Sequence, residues 1–229
     1  DNLYAVDTRS GSEVWRFETG DWVDTNRIIV GSTVIFGSRD DNVYALDIRD
    51  GSELWRFETG GELVSSPAAS NGLVYIGSND NNMYALDAAT GQERWRFAAE
   101  DRVESSPLVA GGSVYFGSFD RNMYALDSAT GELEWQFKID SMVVSSPALF
   151  QDQVIFGSND FLLYALHRDS GEPAWTFKTM DKIISTPAVE DGEVFFGSND
   201  GNFYALSALT GQEAWRFKTP SEVVSTPAV

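Results

Sequence analysis

The chain repeats itself every 40 residues without a single insertion, and that period limits its possible folds more than any other feature. Tyr recurs at Tyr4, Tyr44, Tyr84, Tyr124, Tyr164 and Tyr204, and Trp at Trp15, Trp55, Trp95, Trp135, Trp175 and Trp215. Gly11, Gly51, Gly91, Gly131, Gly171 and Gly211 hold the same register, as do Pro67, Pro107, Pro147, Pro187 and Pro227. A fixed period of this length means an array of like units, each burying its apolar face against its neighbours.

One unit reads as four short strands: "VVSSPAL" (143–149), "QVIFGS" (153–158), "LLYAL" (162–166) and "PAWTF" (173–177). The turn after the first strand carries Asn71-Gly72, Gly111-Gly112 or Asp191-Gly192, pairs that accept the positive φ of a tight hairpin. Strand residues are β-branched and aromatic, and no helical period is sustained. Strands three and four read as apolar on both faces, as in Met83, Tyr84, Ala85 and Leu86, which fits sheets stacked face to face. Four antiparallel strands per unit predict an all-β chain of propeller blades, with a solenoid of stacked hairpins as the competing architecture.

The recurring core is Ala-x-Asp-x-x-(Thr/Ser/Asp)-Gly-x-x-x-Trp, seen as Ala85, Asp87, Thr90, Gly91 and Trp95 and again as Ala125, Asp127, Thr130, Gly131 and Trp135. The Asp can accept hydrogen bonds from turn amides, and the Gly permits the turn. The Trp offers a flat surface and an N–H in need of a partner. Six such tryptophans (Trp15, Trp55, Trp95, Trp135, Trp175, Trp215) are expected to staple blade to blade. This pattern closely resembles the tryptophan-docking motif of the pyrroloquinoline-quinone-type propeller repeat, and the resemblance covers the whole chain. That family includes quinoprotein alcohol dehydrogenases and a non-catalytic lipoprotein of the outer-membrane assembly machinery.

The chain carries 35 acidic against 16 basic residues, a net charge of −19. Such a surface repels phosphate backbones, so nucleic acid is not an expected partner. No apolar run is long enough to span a bilayer as a helix, so no membrane insertion is expected. Acidic, Lys-poor composition suits high salt as well as plain solubility. Residue 1 is Asp with no signal-like segment after it, which reads as a mature chain or a fragment and leaves targeting illegible.

Catalysis finds few residues to use. There is no Cys and one His, His167, at the blade-turn register where Asp7, Asp47, Asp87 and Asp127 stand. Ser207 stands there too, so both are expected to be turn residues that can still hydrogen-bond. The hairpin tips "SNDNN" (78–82), "SFDRN" (118–122) and "SNDGN" (198–202) hold one Asp each, too few oxygens for a calcium cage, and read as solvated turns. The resemblance implies that the family's dehydrogenases hold quinone and calcium in a central funnel, typically with eight blades and often an adjacent Cys pair. The expectation is therefore no catalytic residue, no metal and no cofactor. A binding scaffold acting through protein partners is expected, extracytoplasmic by resemblance. A quinoprotein dehydrogenase and a sensor domain of a larger receptor or kinase are the alternatives.

The repeats serve as their own alignment for a site. Strand one is expected to be innermost, starting near a channel mouth, with consensus apolar-apolar-Ser-(Ser/Thr)-Pro. The first unit departs from it with Trp22, Asp24, Asn26 and Arg27, where Asp24 replaces Val or Ile and Arg27 replaces the Pro of every other unit. The third unit carries Glu104 there, preceded by Arg102. Trp and Arg are the residue types most common at binding hot spots. Terminal repeats also drift without function, and Asp24 and Arg27 could simply pair with each other. Finally, the chain starts at strand three and stops after strand one. Residues 1–229 are expected to form one propeller domain, its incomplete blade formed by both termini, or else an arc of a ring of seven or eight blades. The balance leans to an arc.

Overall fold

The structure, a computed structural model, describes all residues 1–229. It contains strands and turns and no helix, so no helix crosses a membrane. Five sheets have four strands and one has two, each a simple antiparallel meander in chain order. The chain divides into two compact units, Asp1–Glu104 and Ser105–Val229.

The N-terminal unit starts with the two-stranded sheet, β1 (Asn2–Val6) and β2 (Glu13–Glu18). Next come β3 (Ile28–Val30), β4 (Thr33–Gly37), β5 (Asn42–Asp47) and β6 (Glu53–Glu58), then β7 (Ala68–Ser70), β8 (Leu73–Gly77), β9 (Asn82–Asp87) and β10 (Glu93–Ala98). The C-terminal unit holds β11 (Leu108–Ala110), β12 (Ser113–Gly117), β13 (Asn122–Asp127) and β14 (Leu133–Lys138). It continues with β15 (Ala148–Phe150), β16 (Gln153–Gly157), β17 (Leu162–His167) and β18 (Pro173–Lys178), and ends with β19 (Ala188–Glu190), β20 (Glu193–Ser198), β21 (Asn202–Ser207) and β22 (Glu213–Lys218). First strands of neighbouring sheets touch, β3 with β7 in one unit and β15 with β11 and β19 in the other, so strand one is the innermost.

That first strand is shorter than its sequence predicts. Only Ala148–Phe150 pairs as a strand, and the Val143–Pro147 stretch before it does not. Side chains take over there. The buried Ser145 hydroxyl accepts the Gly157 N–H at 3.2 Å and donates to the Ser185 carbonyl, 2.9 Å away in the next repeat. Pro147 has no N–H to give a ladder. Strand four also differs from expectation: β6 buries Trp55 and half-buries Phe57, while Leu54 and Arg56 face solvent. Trp55 and Phe57 face the following sheet, where Phe57 meets Tyr84, and the other face is not covered, so the strand alternates as a half-buried strand must.

Between sheets the core is sheet-on-sheet packing. In the N-terminal unit one buried cluster joins Ile35, Val43 and Trp55 to Val74, Ile76 and Tyr84 of the following sheet. Each Trp lies beside a register shift, as where Ala45 pairs with Trp55 but Leu46 with Glu53. The bulge twists strand four and re-aims the indole. The Trp15 N–H donates to the Ile48 carbonyl at 3.0 Å, Trp55 to Ala88 at 3.1 Å, Trp135 to Arg168 at 2.7 Å and Trp175 to Ala208 at 3.1 Å. The indole also lies on a glycine of the next repeat. A Cβ built on Gly51 would come within 2.7 Å of the Trp15 ring, and one on Gly171 within 2.8 Å of Trp135. The six tryptophans are not equivalent: four are buried, Trp175 is half-buried and Trp215 is exposed.

The hairpin tips are not merely solvated turns. Asp80 Oδ1 accepts the N–H of Asn82 at 3.0 Å, and its Oδ2 accepts the Tyr84 hydroxyl and, from the preceding sheet, the Gly60 N–H at 2.7 Å. Asp40 and Asp200 repeat this with Tyr44 and Gly20 and with Tyr204 and Met180. A carboxylate with this many donors holds a second staple between sheets. Burial opposes ionisation of Asp40, Asp80 and Asp200, yet the hydrogen bonds from Tyr hydroxyls and amides outweigh it and keep all three below the usual range. Burial, then the bond to the carboxylate, pushes Tyr44 and Tyr204 up to about 12.

Two outcomes follow. Gly51 and Gly72 both have positive φ, but only Gly51 has a ring against it. Gly72→Ala should cost about 1–2 kcal/mol of left-handed strain, and Gly51→Ala about 2–4 kcal/mol once the displaced indole is added. Urea midpoints of the two variants against the parent check the order, and equal losses would contradict it. Tyrosine in the unfolded chain ionises near pH 10 or so, whereas folded Tyr44 and Tyr204 keep their protons to about 12. Their contribution is complete below the unfolded value and is lost as pH rises from there through the folded one. Unfolding midpoints should therefore fall across that alkaline window, and Tyr204→Phe should flatten the fall. The depressed aspartates act in the opposite sense: their contribution is present above about pH 4 and lost as pH drops further.

Candidate functional site

The loop from strand four of one sheet to strand one of the next lies against the following hairpin tip. In the first repeat the Arg39 N–H donates to the Trp22 carbonyl at 2.9 Å, and the Ser38 hydroxyl reaches the Asp21 and Trp22 carbonyls at 3.2 and 3.3 Å. These bonds fix the backbone under Trp22, whose side chain remains 59% exposed.

Arg39 organises what surrounds it. Its guanidinium lies 5.5 Å from the centroid of the Trp22 ring, a cation–π distance. Its Nε and a terminal nitrogen meet Asp24 Oδ2 at 2.7 and 2.6 Å, and the other nitrogen reaches Glu62 at 3.7 Å. The hydrogen bond to Asp24 raises the Arg39 pKa further. Arg102 and Glu104 form a second pair at 3.3 Å. Burial raises the Glu104 carboxyl, and the guanidinium charges of Arg102 and Arg39 pull against it. Trp22, Asp24, Arg39, Glu62, Arg102 and Glu104 thus share one electrostatic neighbourhood in the N-terminal unit.

Asn26 and Arg27 play different parts. The Asn26 main-chain N–H donates to the Ser66 hydroxyl at 2.9 Å, as Ser106 does to Ser146, so its backbone serves the fold. Arg27 forms no ion pair; Asp24 pairs with Arg39 instead. Arg27 lines an open pocket of about 430 Å³ with Tyr4, Trp22 and Asp24, beside the uncovered edge of β1.

Sequence reading missed Arg39, although a signal existed. Asn79, Asn159 and Asn199 hold its register, and Arg39 departs from them. Arg39 lies on the hairpin tip, away from the strand-one positions where the first repeat departs most visibly. His167 and Ser207 both stand at turns. Their turns close through the main chain, Gly171 N–H to the His167 carbonyl and Gly211 N–H to the Ser207 carbonyl, both at 2.8 Å. The exposed His167 ring faces Asp152 at 3.3 Å and does not cap its turn. No group of three or more His, Asp or Glu side chains is placed to hold a metal ion.

A family model described as outer membrane protein assembly factor BamB matches residues 1–90, 39–160 and 138–229, together the entire chain. No curated protein sequence matches it. Among solved structures, BamB from Moraxella catarrhalis is similar with a TM-score of 0.87 at 23% identity, over 100% of this chain and 73% of that one. The computationally designed Ika8 protein has a TM-score of 0.82 at 20% identity, over 94% and 68%. The quinohemoprotein alcohol dehydrogenase ADHIIG from Pseudomonas putida HK5 has 0.76 at 19%, over 90% and 43%. At these identities the structural likeness speaks for the fold, which is an all-β propeller of pyrroloquinoline-quinone-type repeats. With the model matched from end to end, the chain belongs to the family of the outer membrane protein assembly factor BamB.

Proposed function

We propose that the chain is a non-catalytic scaffold of the cell envelope or exterior that holds a protein partner on the face carrying Trp22. The family supports this reading, since the name of BamB is that of an assembly factor. One observation of this chain carries it: the exposed Trp22 ring, backed by the Arg39 guanidinium, which two carboxylates, Asp24 and Glu62, hold in place. An aromatic surface presented on a fixed backbone loses little entropy on docking. Beside it, the unpaired Arg27 offers a free fork for a carboxylate or carbonyl of the partner. Arg102 and Glu104 extend the same surface. No step of a reaction is assigned to any residue.

A photo-crosslinking amino acid in place of Trp22 tests the reading in envelope extracts of the source cells. It should capture one discrete polypeptide, while the same probe at Glu134, exposed on the outer strand β14, should not. Trp22→Ala with Arg27→Ala should lose retention of that polypeptide by at least tenfold. The melting temperature should hardly move, because both side chains are exposed. Identical capture from both probe positions would refute the site. Quinone absorbance that stays with the protein after gel filtration from pyrroloquinoline quinone and calcium, together with alcohol-dependent dye reduction by that fraction, would refute the non-catalytic reading.

A further inference from the structure

The hairpin between β16 and β17 departs from the repeat at a cost to its own turn. Five of the six units place Asn at the register of residue 162. The side-chain amides of Asn42, Asn82, Asn122 and Asn202 donate to the tip aspartate of their own hairpin at between 2.9 and 3.2 Å. Leu162 stands there instead, so Asp160 keeps only the Leu162 N–H at 3.1 Å and the Tyr164 hydroxyl at 2.7 Å. One residue earlier, Phe161 takes a φ of +75° where other hairpins have Asp41, Asn81, Arg121 and Gly201. Asp, Asn and Gly enter that left-handed region more readily than an aromatic residue. Leu162 rests partly on the core below it, which explains one of the two exchanges; Phe161 has no such return. Local rules broken in this way point to a use outside the turn.

What surrounds Phe161 is apolar and cationic. The loops on either side are pinned to this hairpin. The Asn159 N–H donates to the Met142 carbonyl at 3.1 Å, and the Phe161 carbonyl accepts both the N–H and the hydroxyl of Thr179 at 2.9 Å, next to Met180. Met142 is 41% and Met180 81% exposed, whereas Met83 and Met123 are fully buried. Lys178 lies directly across the ladder from Leu162, and both it and Lys182 are exposed. In the neighbouring sheets the lysine at this register is held by its own hairpin, Lys138 by the Asp120 carbonyl at 2.8 Å and Lys218 by the Asp200 carbonyl at 2.7 Å. Lys178 makes no such bond. Neither it nor Lys182 is ion-paired, although Asp140 and Asp181 stand on the same two loops. All of these residues belong to the C-terminal unit, on a sheet with another sheet of that unit on each side.

We propose that this rim binds a peptide segment in which apolar side chains are interspersed with carboxylates. The apolar side chains cover Met142, Phe161 and Met180, and the carboxylates meet Lys178 and Lys182. Charge selects the occupant. With a net charge of −19 the molecule as a whole repels an anionic lipid surface, whereas a small acidic ligand can reach two unpaired cations without facing the rest. Methionine adapts its shape to differing apolar side chains, so the rim recognises a class of segments rather than one sequence. This inference is independent of the Trp22 site and uses none of its residues.

The chain has 4 methionines, two at the rim and two in the core, so the NMR signals of labelled Met methyl groups read the site directly. The probe is a soluble peptide of alternating Leu and Asp with one Phe. Two counterparts carry Lys for Asp, or Ser for Leu and Phe. Titrated into the 229-residue chain, the acidic apolar peptide should shift Met142 and Met180 saturably and leave Met83 and Met123 in place. Neither counterpart should shift any of the four. Lys178→Ser with Lys182→Ser should weaken binding about fivefold, the effect of two exposed ion pairs, and added salt should weaken it too. Met180→Ser, at a side chain too exposed to matter to the fold, should weaken it as well, read at Met142. Phe161→Asn with Leu162→Asn restores the polar hairpin and should abolish the shifts without lowering the melting temperature. No saturable shift from the acidic peptide, an equal shift from its Lys counterpart, or binding undiminished by loss of both lysines would each overturn the proposal. Shifts from phosphatidylglycerol vesicles and none from the peptide would overturn it in favour of a lipid surface.

Discussion

The contact of an indole with a glycine in the next repeat governs the rest of the structure. A residue at that glycine must accept a positive φ and must also have no Cβ, since the ring occupies its place. The carbonyl three residues earlier then lies where the indole N–H needs it. Turn, strand and neighbour are specified by one side chain. Removing a buried Trp of this kind costs about 3–5 kcal/mol, which is a large part of the stability of a typical domain.

Much of this was legible before any coordinates. The 40-residue register gave the number of strands per unit, the order of the meander and the Gly-containing hairpins, because these depend on local periodicity and on φ. The hairpin-tip aspartates Asp40, Asp80 and Asp200 were not legible as staples. The second donor to each is a backbone N–H twenty positions earlier, and a main-chain donor leaves no trace in residue identity. The short first strand escaped for a similar reason. Val-Val-Ser-Ser reads as a strand by propensity, but the Ser145 hydroxyl takes up Gly157 and Ser185, and only tertiary structure supplies those partners.

The candidate site divides along the same line. Trp22, Asp24, Arg102 and Glu104 stood out as departures from the repeat, and the structure places them in one neighbourhood. The residue that joins them, Arg39, lies on another loop, fifteen positions from Asp24. Its departure from Asn79, Asn159 and Asn199 is the one trace it leaves in the sequence. The pairing of Asp24 with Arg39 and not Arg27 depends on how two loops fold together, and no single-strand alignment contains that.

The clamped loop beneath Trp22 bears on the speed of recognition. Its main chain is held by Arg39 and Ser38 through three hydrogen bonds, so a partner docking there, as proposed above, would meet a face that needs no ordering step. Encounter is then governed by orientation and by the field of the molecule. At a net charge of −19 that field draws in cationic surfaces and delays anionic ones, and it fades as ionic strength rises. For a scaffold of the kind proposed, the acidity of the chain would be felt in the rate of capture more than in the strength of the hold.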